Sequence, residues 1–286
     1  MLAWYRLLLV VLATAGCMFA LPVRVEPADK PESKNGDTLE LSLGGVKLEL
    51  VRIKAGTFLM GSTNNNERAA ANEKPQHEVT ISKDFYMGKY LVTQEQWVRV
   101  IGKNPSRFSA KGIDKARVAG LDTRRFPVDC ITWHEARKFC MAVSSMTKRR
   151  VDLPTEAQWE YACRAGTTTH WYCGDTFTGS DANWNFNGKA YQQGRTCEVD
   201  KHPPNPWGLY DMAGNLHQWC LDYLDADYYA KSPKVDPCND SGKERQHALR
   251  GGCWLDGAGM HRSANRFLTI QKEHRTIGFR VVVRVD

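Results

Sequence analysis

The chain has 286 residues, of which 42% are hydrophobic and 25% are charged, and its formal net charge is +7. This balance is typical of a globular protein and excludes a protein with many membrane spans. The basic residues are scattered, apart from a tight cluster at Lys148–Arg150, and they form no stripe interleaved with aromatic residues. We therefore expect no nucleic-acid partner.

The first residues are typical of an export signal. Arg6 precedes an apolar run over Leu7–Leu21, which is shorter than the ~20 residues that span a bilayer comfortably. We predict a signal peptide over residues 1–20. Two alternatives stay open, namely a lipoprotein signal that ends before Cys17 and an uncleaved anchor. In all three cases the protein is exported, and a membrane is a partner only through this N-terminal lipid or anchor.

A flexible tether and one folded domain are predicted to follow. Residues 21–37 are rich in Pro, Glu, Lys, Ser and Asn, a composition that does not form a core. The domain is predicted over residues 38–286. It opens with apolar residues that alternate on both sides of Gly44-Gly45, a pattern typical of a β-hairpin. Two further strands are predicted after it, over Ile53–Met60 and His77–Ile81.

Three capping boxes predict the N-termini of three helices. In each box a threonine and a Glu or Gln three residues later satisfy each other's backbone amides. The pairs are Thr93 with Gln96, Thr132 with Glu135, and Thr155 with Gln158. From Gly166 to Gly208 the chain shows no clear period, which predicts long loops of the kind that usually carry function or ions. Together with a closing strand near Val281–Val285, these elements predict an α+β fold.

Seven stretches in a fixed order then resemble a known family. They are AGTFLMGS at Ala55, DFYMGKYLVTQEQW at Asp84, NPSRF at Asn104, FPVDCITWHEAR at Phe126, DLPTEAQWEYACRAGT at Asp152, NPWGLYDMAGNLHQWC at Asn205, and LRGGCW to IGFRVVV over Leu249–Val283. The segment from about Leu50 to Val283 resembles the formylglycine-generating enzyme, or sulfatase-modifying factor, domain. The resemblance implies a loop-rich fold related to C-type lectin-like domains.

The catalytic residues of that family are replaced in this chain. Active members oxidise a sulfatase cysteine to formylglycine with dioxygen and with copper(I) held by two thiolates, which are the soft ligands copper(I) needs. No cysteine occurs over Leu255–Asn265. The resemblance places Asp256 at the first thiolate position and His261 near the second, while Cys253 stands where the family has a serine. We therefore expect no copper site and a divergent member without the catalytic cysteine pair.

A different chemistry at the same residues stays open. Cys253, Asp256 and His261 are residue types that zinc or iron accepts, and Cys253 with His261 as base would be a nucleophile pair. Single Cys, Asp and His residues in one loop are, however, more often unrelated. Three other histidines show no sequence spacing that converges on this loop: His134, His217 and His274. The catalytic residues are therefore left unassigned.

The resemblance also implies two calcium sites. One would use the Asp211 side chain, the carbonyls of Gly214 and Leu216, and the Gln218 side chain, an alternation of oxygens that suits calcium. The family usually has glutamate as the fourth ligand, so the neutral Gln218 should lower the affinity. The other site would use Asn183 and the Trp184 carbonyl, although its downstream aspartate is missing. Alternatively, Asp211 only hydrogen-bonds a turn.

The remaining cysteines suggest no further site. Eight follow Cys17, and because none forms a CxxC pair, a zinc ribbon or thioredoxin-like site is not expected. Cys140 and Cys163 match family cysteines whose disulfide partners are replaced here by Val281 and by a residue near Ser263. Disulfide pairing is left open.

The leading hypothesis is an exported, non-oxidase family member that uses the lectin-like scaffold to bind a protein or glycan. The loop between Trp254 and His274 is predicted to contact this ligand, and the predicted binding residues are Trp254, Arg262, Asn265 and Arg266. One alternative is an enzyme of altered chemistry at the same pocket. The other is formylglycine generation itself, with a sulfatase peptide as substrate.

Overall fold

The computed structural model describes most of the chain from residue 37 onward. The described ranges are 37–63, 65–186, 189–190, 194–242, 246–267 and 274–285. All of them belong to one compact unit, Lys34–Asp286. The predicted signal peptide and nearly all of the predicted tether lie outside the described residues. Within the described ranges, no helix has the length and apolar character needed to cross a membrane.

Short strands and three α-helices make up the regular structure. The strands are β1 (Thr38–Ser42), β2 (Lys47–Ile53), β3 (Gly56–Met60), β4 (His77–Ile81), β5 (Phe85–Gly88), β6 (Val151–Asp152), β7 (Asn185–Phe186), β8 (Lys189–Ala190), β9 (His217–Tyr223), β10 (His247–Arg250), β11 (Ile277–Gly278) and β12 (Val282–Arg284). The helices are α1 (Gln94–Ile101), α2 (Trp133–Thr147) and α3 (Glu156–Arg164). The expected mixture of helices and sheets is thus confirmed.

The predicted hairpin forms as β1 and β2. Leu41 lies opposite Leu48 in the antiparallel register, and both are buried. The next strand starts later than predicted, because Ile53 still belongs to β2 and β3 begins at Gly56. The chain turns between them, where the Ala55 amide donates a 2.7 Å hydrogen bond to the Asp84 carboxylate.

All three predicted helix starts are confirmed. Thr93, Thr132 and Thr155 are the N-cap residues, and each capping box is complete in both directions. The cap fixes the start of a helix through bonds between residues only three positions apart, so it is legible in the sequence. Each helix ends at a residue in the left-handed conformation, such as Gly102 after α1.

Two sheets position the candidate site. The larger has the strand order β1-β2-β5-β12-β6, and the smaller has the order β10-β9-β11, with β11 parallel to β9. Two apolar clusters pack against these elements, one around Trp159 and one around Trp219, and both tryptophans are fully buried. Because Arg250 pairs with Gln218 in the antiparallel register of β10 and β9, the start of β9 and the chain that follows β10 lie side by side.

Candidate functional site

One side-chain cluster combines a histidine, an aspartate and a cysteine. The His217 Nε2 atom lies 3.0 Å from Asp256 Oδ2. One ligand atom from each of His217, Cys253 and Asp256 lies within 4.8 Å of the other two. His217 is the first residue of β9, whereas the other two belong to the turn that follows β10. The cluster therefore joins two segments that are distant in sequence.

The turn after β10 is held by its own hydrogen bonds. The Cys253 amide donates to Asp256 Oδ2 over 2.9 Å, and the Asp256 amide donates to the Cys253 carbonyl over 3.0 Å. On the opposite side, the His217 amide donates to the Thr276 carbonyl over 2.8 Å. These bonds fix the backbone of each residue in the cluster, so the side chains are positioned before any ligand arrives.

Burial and charge act in opposite directions on Asp256. Burial raises the pKa of its carboxyl, but the hydrogen bond and the electrostatic interaction with His217 outweigh this effect, so the pKa falls below its usual value. Burial, aided by the Asp256 charge, raises the pKa of the Cys253 thiol well above its usual range. Without a bound cation, the cluster therefore combines a carboxylate with a protonated thiol.

The His217 ring can form a further hydrogen bond. Its Nδ1 atom is buried and has no hydrogen-bond partner among the described residues. The ring packs edge-on against Phe267, with 4.2 Å between the ring centroids. No sequence spacing points to this histidine, because only the pairing of β9 with its neighbours brings it to Asp256.

His261, which was grouped with Cys253 and Asp256 on sequence grounds, takes a different position. Its Nδ1 lies 3.0 Å from the Gly257 carbonyl and its Nε2 lies 3.2 Å from the Cys253 carbonyl. Phe177 stacks on the ring at 5.4 Å. Burial lowers the pKa of His261 to about 4, so the ring is neutral at pH 7. It packs beneath the turn, and His217 takes the place beside Asp256.

One residue of the first implied calcium site, Gln218, already uses its side chain for hydrogen bonds within the protein. The Gln218 side-chain oxygen already accepts hydrogen bonds from Trp159 Nε1 at 2.9 Å and from Arg280 Nε at 2.6 Å. Its amide nitrogen donates to the Asp211 carbonyl over 2.7 Å. The Arg280 guanidinium, a fixed cation, also donates to that carbonyl at 3.2 Å. Burial raises the pKa of Asp211 to about 7.

Gly214 and Leu216 lie on the buried turn between Asp211 and Gln218, and the Gly214 amide donates to the Gly251 carbonyl over 2.9 Å. The second implied calcium site rests on Asn183 and Trp184. The Asn183 side-chain oxygen is buried and has no hydrogen-bond partner among the described residues, which suits a ligand atom. The neighbouring positions 191–193 lie outside the described residues, so calcium at Asn183 stays a prediction.

The four residues predicted to contact a ligand are buried, so the expected exposed surface is corrected, although Arg262 lines the cavity described below. Arg262 donates two 2.7 Å hydrogen bonds to Glu73, and Arg266 donates to both carboxylate oxygens of Glu156 at 2.7 and 2.8 Å. Asn265 donates to a backbone carbonyl over 2.9 Å. Trp254 is 2% exposed. A buried guanidinium needs such partners, and these side chains anchor the loop within the protein. The loop's residues 268–273 lie outside the described ranges.

An open cavity of about 520 Å³ lies beside the segment that follows β3. Its floor includes Arg164 and Arg262, both held in ion pairs with buried glutamates. Its walls offer hydroxyl and amide groups from six further residues: Thr63, Asn65, Asn66, Gln76, Thr168 and Thr169. Such a lining suits a ligand that donates and accepts many hydrogen bonds.

Comparison with known proteins agrees with the fold and with the sequence stretches above. The family model for the sulfatase-modifying factor enzyme 1-like domain matches residues 46–285. The chain belongs to the sulfatase-modifying factor family. This match covers the described fold from residue 46 onward, including all three residues of the His217–Asp256–Cys253 cluster.

Relatives in the family carry different names. The chain is 32% identical over 223 residues to the serine/threonine-protein kinase pkn1 of Chlamydia pneumoniae, an alignment that covers 72% of the chain but only 33% of that relative. It is 28% identical over 281 residues to the formylglycine-generating enzyme of Streptomyces coelicolor, covering 80% and 82% of the two chains. The chain thus spans about a third of the kinase relative.

Solved structures share the fold. The structure of PvdO from Pseudomonas aeruginosa matches with a TM-score of 0.74 and 23% identity, covering 88% of this chain and 100% of that one. Treponema denticola variable protein 1 matches with the same TM-score of 0.74 and 26% identity, covering 87% and 99%. The sulfatase-modifying factor fold therefore extends over nearly all of the described chain.

Proposed function

We propose that this chain is an exported, non-oxidase member of its family that binds a protein or glycan ligand through a lectin-like scaffold. One observation carries the proposal. The turn after β10 offers one thiol, Cys253, together with Asp256 and His217, where copper(I) chemistry needs two thiolates. Members of the family share the scaffold, whereas the function of each member depends on the residues at its site.

The polar cavity supports the binding role. It is open, and many of its wall residues offer hydroxyl and amide groups that match the hydrogen-bonding pattern of a sugar or of an extended peptide backbone. The arginines in its floor are already paired with Glu160 and Glu73, whereas Glu67 and Arg68 line the cavity as exposed charges. Specificity then comes from the exposed wall residues, Thr168 among them.

The oxidase alternative has a direct test. The purified chain is incubated with copper, oxygen and a peptide that contains Cys-x-Pro-x-Arg, and the peptide mass is followed. The Streptomyces coelicolor relative, run in parallel, is the positive control. We expect the peptide to keep its cysteine with this chain, while the control converts it. Aldehyde formation by this chain would contradict the proposal.

Ligand binding is tested on a printed glycan array and on immobilised envelope protein from a bacterial host. Thr168→Ala removes a hydroxyl from the cavity wall, while Thr38→Ala removes one from an exposed strand residue outside it. We expect ligand binding that Thr168→Ala reduces and Thr38→Ala leaves unchanged.

Export is tested by the mass of the N-terminus in the same preparation. This mass distinguishes cleavage, lipidation of Cys17 and an intact anchor.

An enzyme of altered chemistry is the second candidate. The convergence of His217, Asp256 and Cys253 favours it, because three chemically different side chains meet at a partly open point. An enzyme requires a reactive group at this cluster, whereas a pure binding module does not.

A further inference from the structure

We propose that His217, Asp256 and Cys253 form a binding site for a single transition-metal cation, Zn²⁺ in the first place. The ligand atoms are the His217 imidazole nitrogen Nε2, an Asp256 carboxylate oxygen and the Cys253 sulfur. The sequence alone suggested His261 as the nitrogen ligand, whereas the structure assigns this role to His217.

The distances are close to those of a zinc site. Zinc holds N, O and S ligands at about 2.0–2.3 Å, which places the donors of a tetrahedral site about 3.3–3.8 Å apart. Here the three donor atoms lie within 4.8 Å of one another, and the closest pair, His217 Nε2 and Asp256 Oδ2, is 3.0 Å apart. Small side-chain rotations therefore suffice to close the three donors around one ion.

The chemistry of the donor set selects the metal. One sulfur, one imidazole nitrogen and one carboxylate oxygen form a mixed set of borderline softness, which suits zinc and its analogue cobalt(II). Calcium and magnesium require oxygen ligands, and copper(I) prefers two soft sulfurs. When the ion binds, the Cys253 thiol loses its proton to solvent and the sulfur becomes a thiolate ligand.

The groups around the three proposed ligands favour the binding of a cation. The Asp256 carboxylate provides a negative charge, and its Oδ2 atom contacts the His217 ring and the Cys253 amide. The Leu255 amide lies 3.4 Å from Cys253 Sγ, an orientation that would stabilise a metal-bound thiolate. These supporting groups are fixed by the backbone of the turn.

The site is partly open to solvent, where a fourth ligand would bind. Three protein ligands plus one open position are typical of reactive rather than structural zinc sites. The side chains of His217 and Asp256 are 11% and 22% exposed, whereas Cys253 is 1% exposed. The opening therefore lies on the Asp256 side, where water or a ligand atom would complete the tetrahedron.

Metal titration of the untagged full chain tests the site. After treatment with a chelator, the protein is titrated with Zn²⁺ by calorimetry and with Co²⁺ by absorption spectroscopy. We expect one equivalent of either metal. The Co²⁺ form should show the intense visible bands of tetrahedral cobalt and a sulfur-to-cobalt charge-transfer band in the near ultraviolet.

Substitutions then assign the ligands. Cys253→Ser should abolish the charge-transfer band, and Asp256→Asn and His217→Gln should each lower the affinity at least about tenfold. Cys173→Ser and His134→Gln change exposed residues outside the cluster and should leave both readouts unchanged. Circular dichroism and thermal unfolding confirm that each variant is folded.

Three results would overturn the site: no saturable binding at micromolar Zn²⁺, a charge-transfer band that persists in Cys253→Ser, or an affinity unchanged by Asp256→Asn. None of these results depends on the sulfatase-peptide assay. Failure of the metal site therefore leaves the non-oxidase proposal standing, and aldehyde formation leaves the titration result intact.

Discussion

Arg262 donates a hydrogen bond of 2.7 Å to each carboxylate oxygen of Glu73, a residue 189 positions earlier in the chain. Neither side chain is more than 5% exposed. Glu73 also accepts hydrogen bonds from the Ser62 hydroxyl and from the Ala70 amide. This one pair therefore ties the loop after β10 to the segment between β3 and β4, along the floor of the polar cavity.

Breaking this pair should destabilise the protein strongly. Glu73→Gln or Arg262→Met leaves a buried charge without its partner, which typically lowers the free energy of unfolding by about 3–5 kcal/mol. The double variant should lose less than the sum of the two single losses. Urea unfolding of the four proteins measures this coupling. Additive losses would show that the two side chains do not act as a pair.

The three helices and the first hairpin could be predicted because their signals are local. A capping box or an alternation around Gly44-Gly45 involves residues only a few positions apart. The candidate site has no such signal. His217 reaches Asp256 only through the pairing of β9 with β10 and β11.

The positions of the arginines in the last loop could not be predicted from local sequence signals either. Arg262 and Arg266 look like surface residues in the sequence, since charged side chains are mostly exposed. In the structure their partners come from segments far away, Glu73 and Glu156. The same residue types serve a binding surface or a buried ion pair, and only the tertiary fold distinguishes the two.

Stability should depend on pH through Asp129. Burial raises the pKa of this fully buried carboxyl from 3.8 to about 6. Below pH ~4 the group is protonated in both folded and unfolded chains. Between pH ~4 and ~6 only the unfolded chain ionises, so stability falls by about 3 kcal/mol as pH rises through this window, and the loss is complete above it.

Asp129→Asn removes this ionisation. The variant should therefore lack that part of the pH dependence, although its new amide group must be accommodated beside the Arg107 amide that now donates to the carboxylate. Urea unfolding of both proteins at intervals from pH 4 to pH 8 gives the difference curve. A difference that stays constant across this range would show that Asp129 titrates normally.

Calcium should not bind at Asp211. The Arg280 guanidinium lies against the Asp211 carbonyl and against Gln218, so an added divalent cation would meet a fixed positive charge. Any calcium-induced rise in the midpoint of thermal unfolding should therefore be the same in the wild type and in Asp211→Asn. A rise that disappears in Asp211→Asn would place calcium at this turn after all.

Gly252 is required by the close approach of His261 beneath the turn that carries Cys253 and Asp256. Its φ is +71°, and a Cβ atom there would lie 2.7 Å from the imidazole ring. Gly252→Ala should therefore lower the free energy of unfolding by more than the ~1–2 kcal/mol that a left-handed residue alone costs. Gly102→Ala is the matched control, because its φ is also positive, at +93°, and no atom lies within 4 Å of its added Cβ. Equal losses of unfolding free energy in the two variants, measured by urea unfolding, would show that the imidazole shifts to accommodate the added Cβ atom. A larger loss at Gly252 would show that His261 supports the turn by contact.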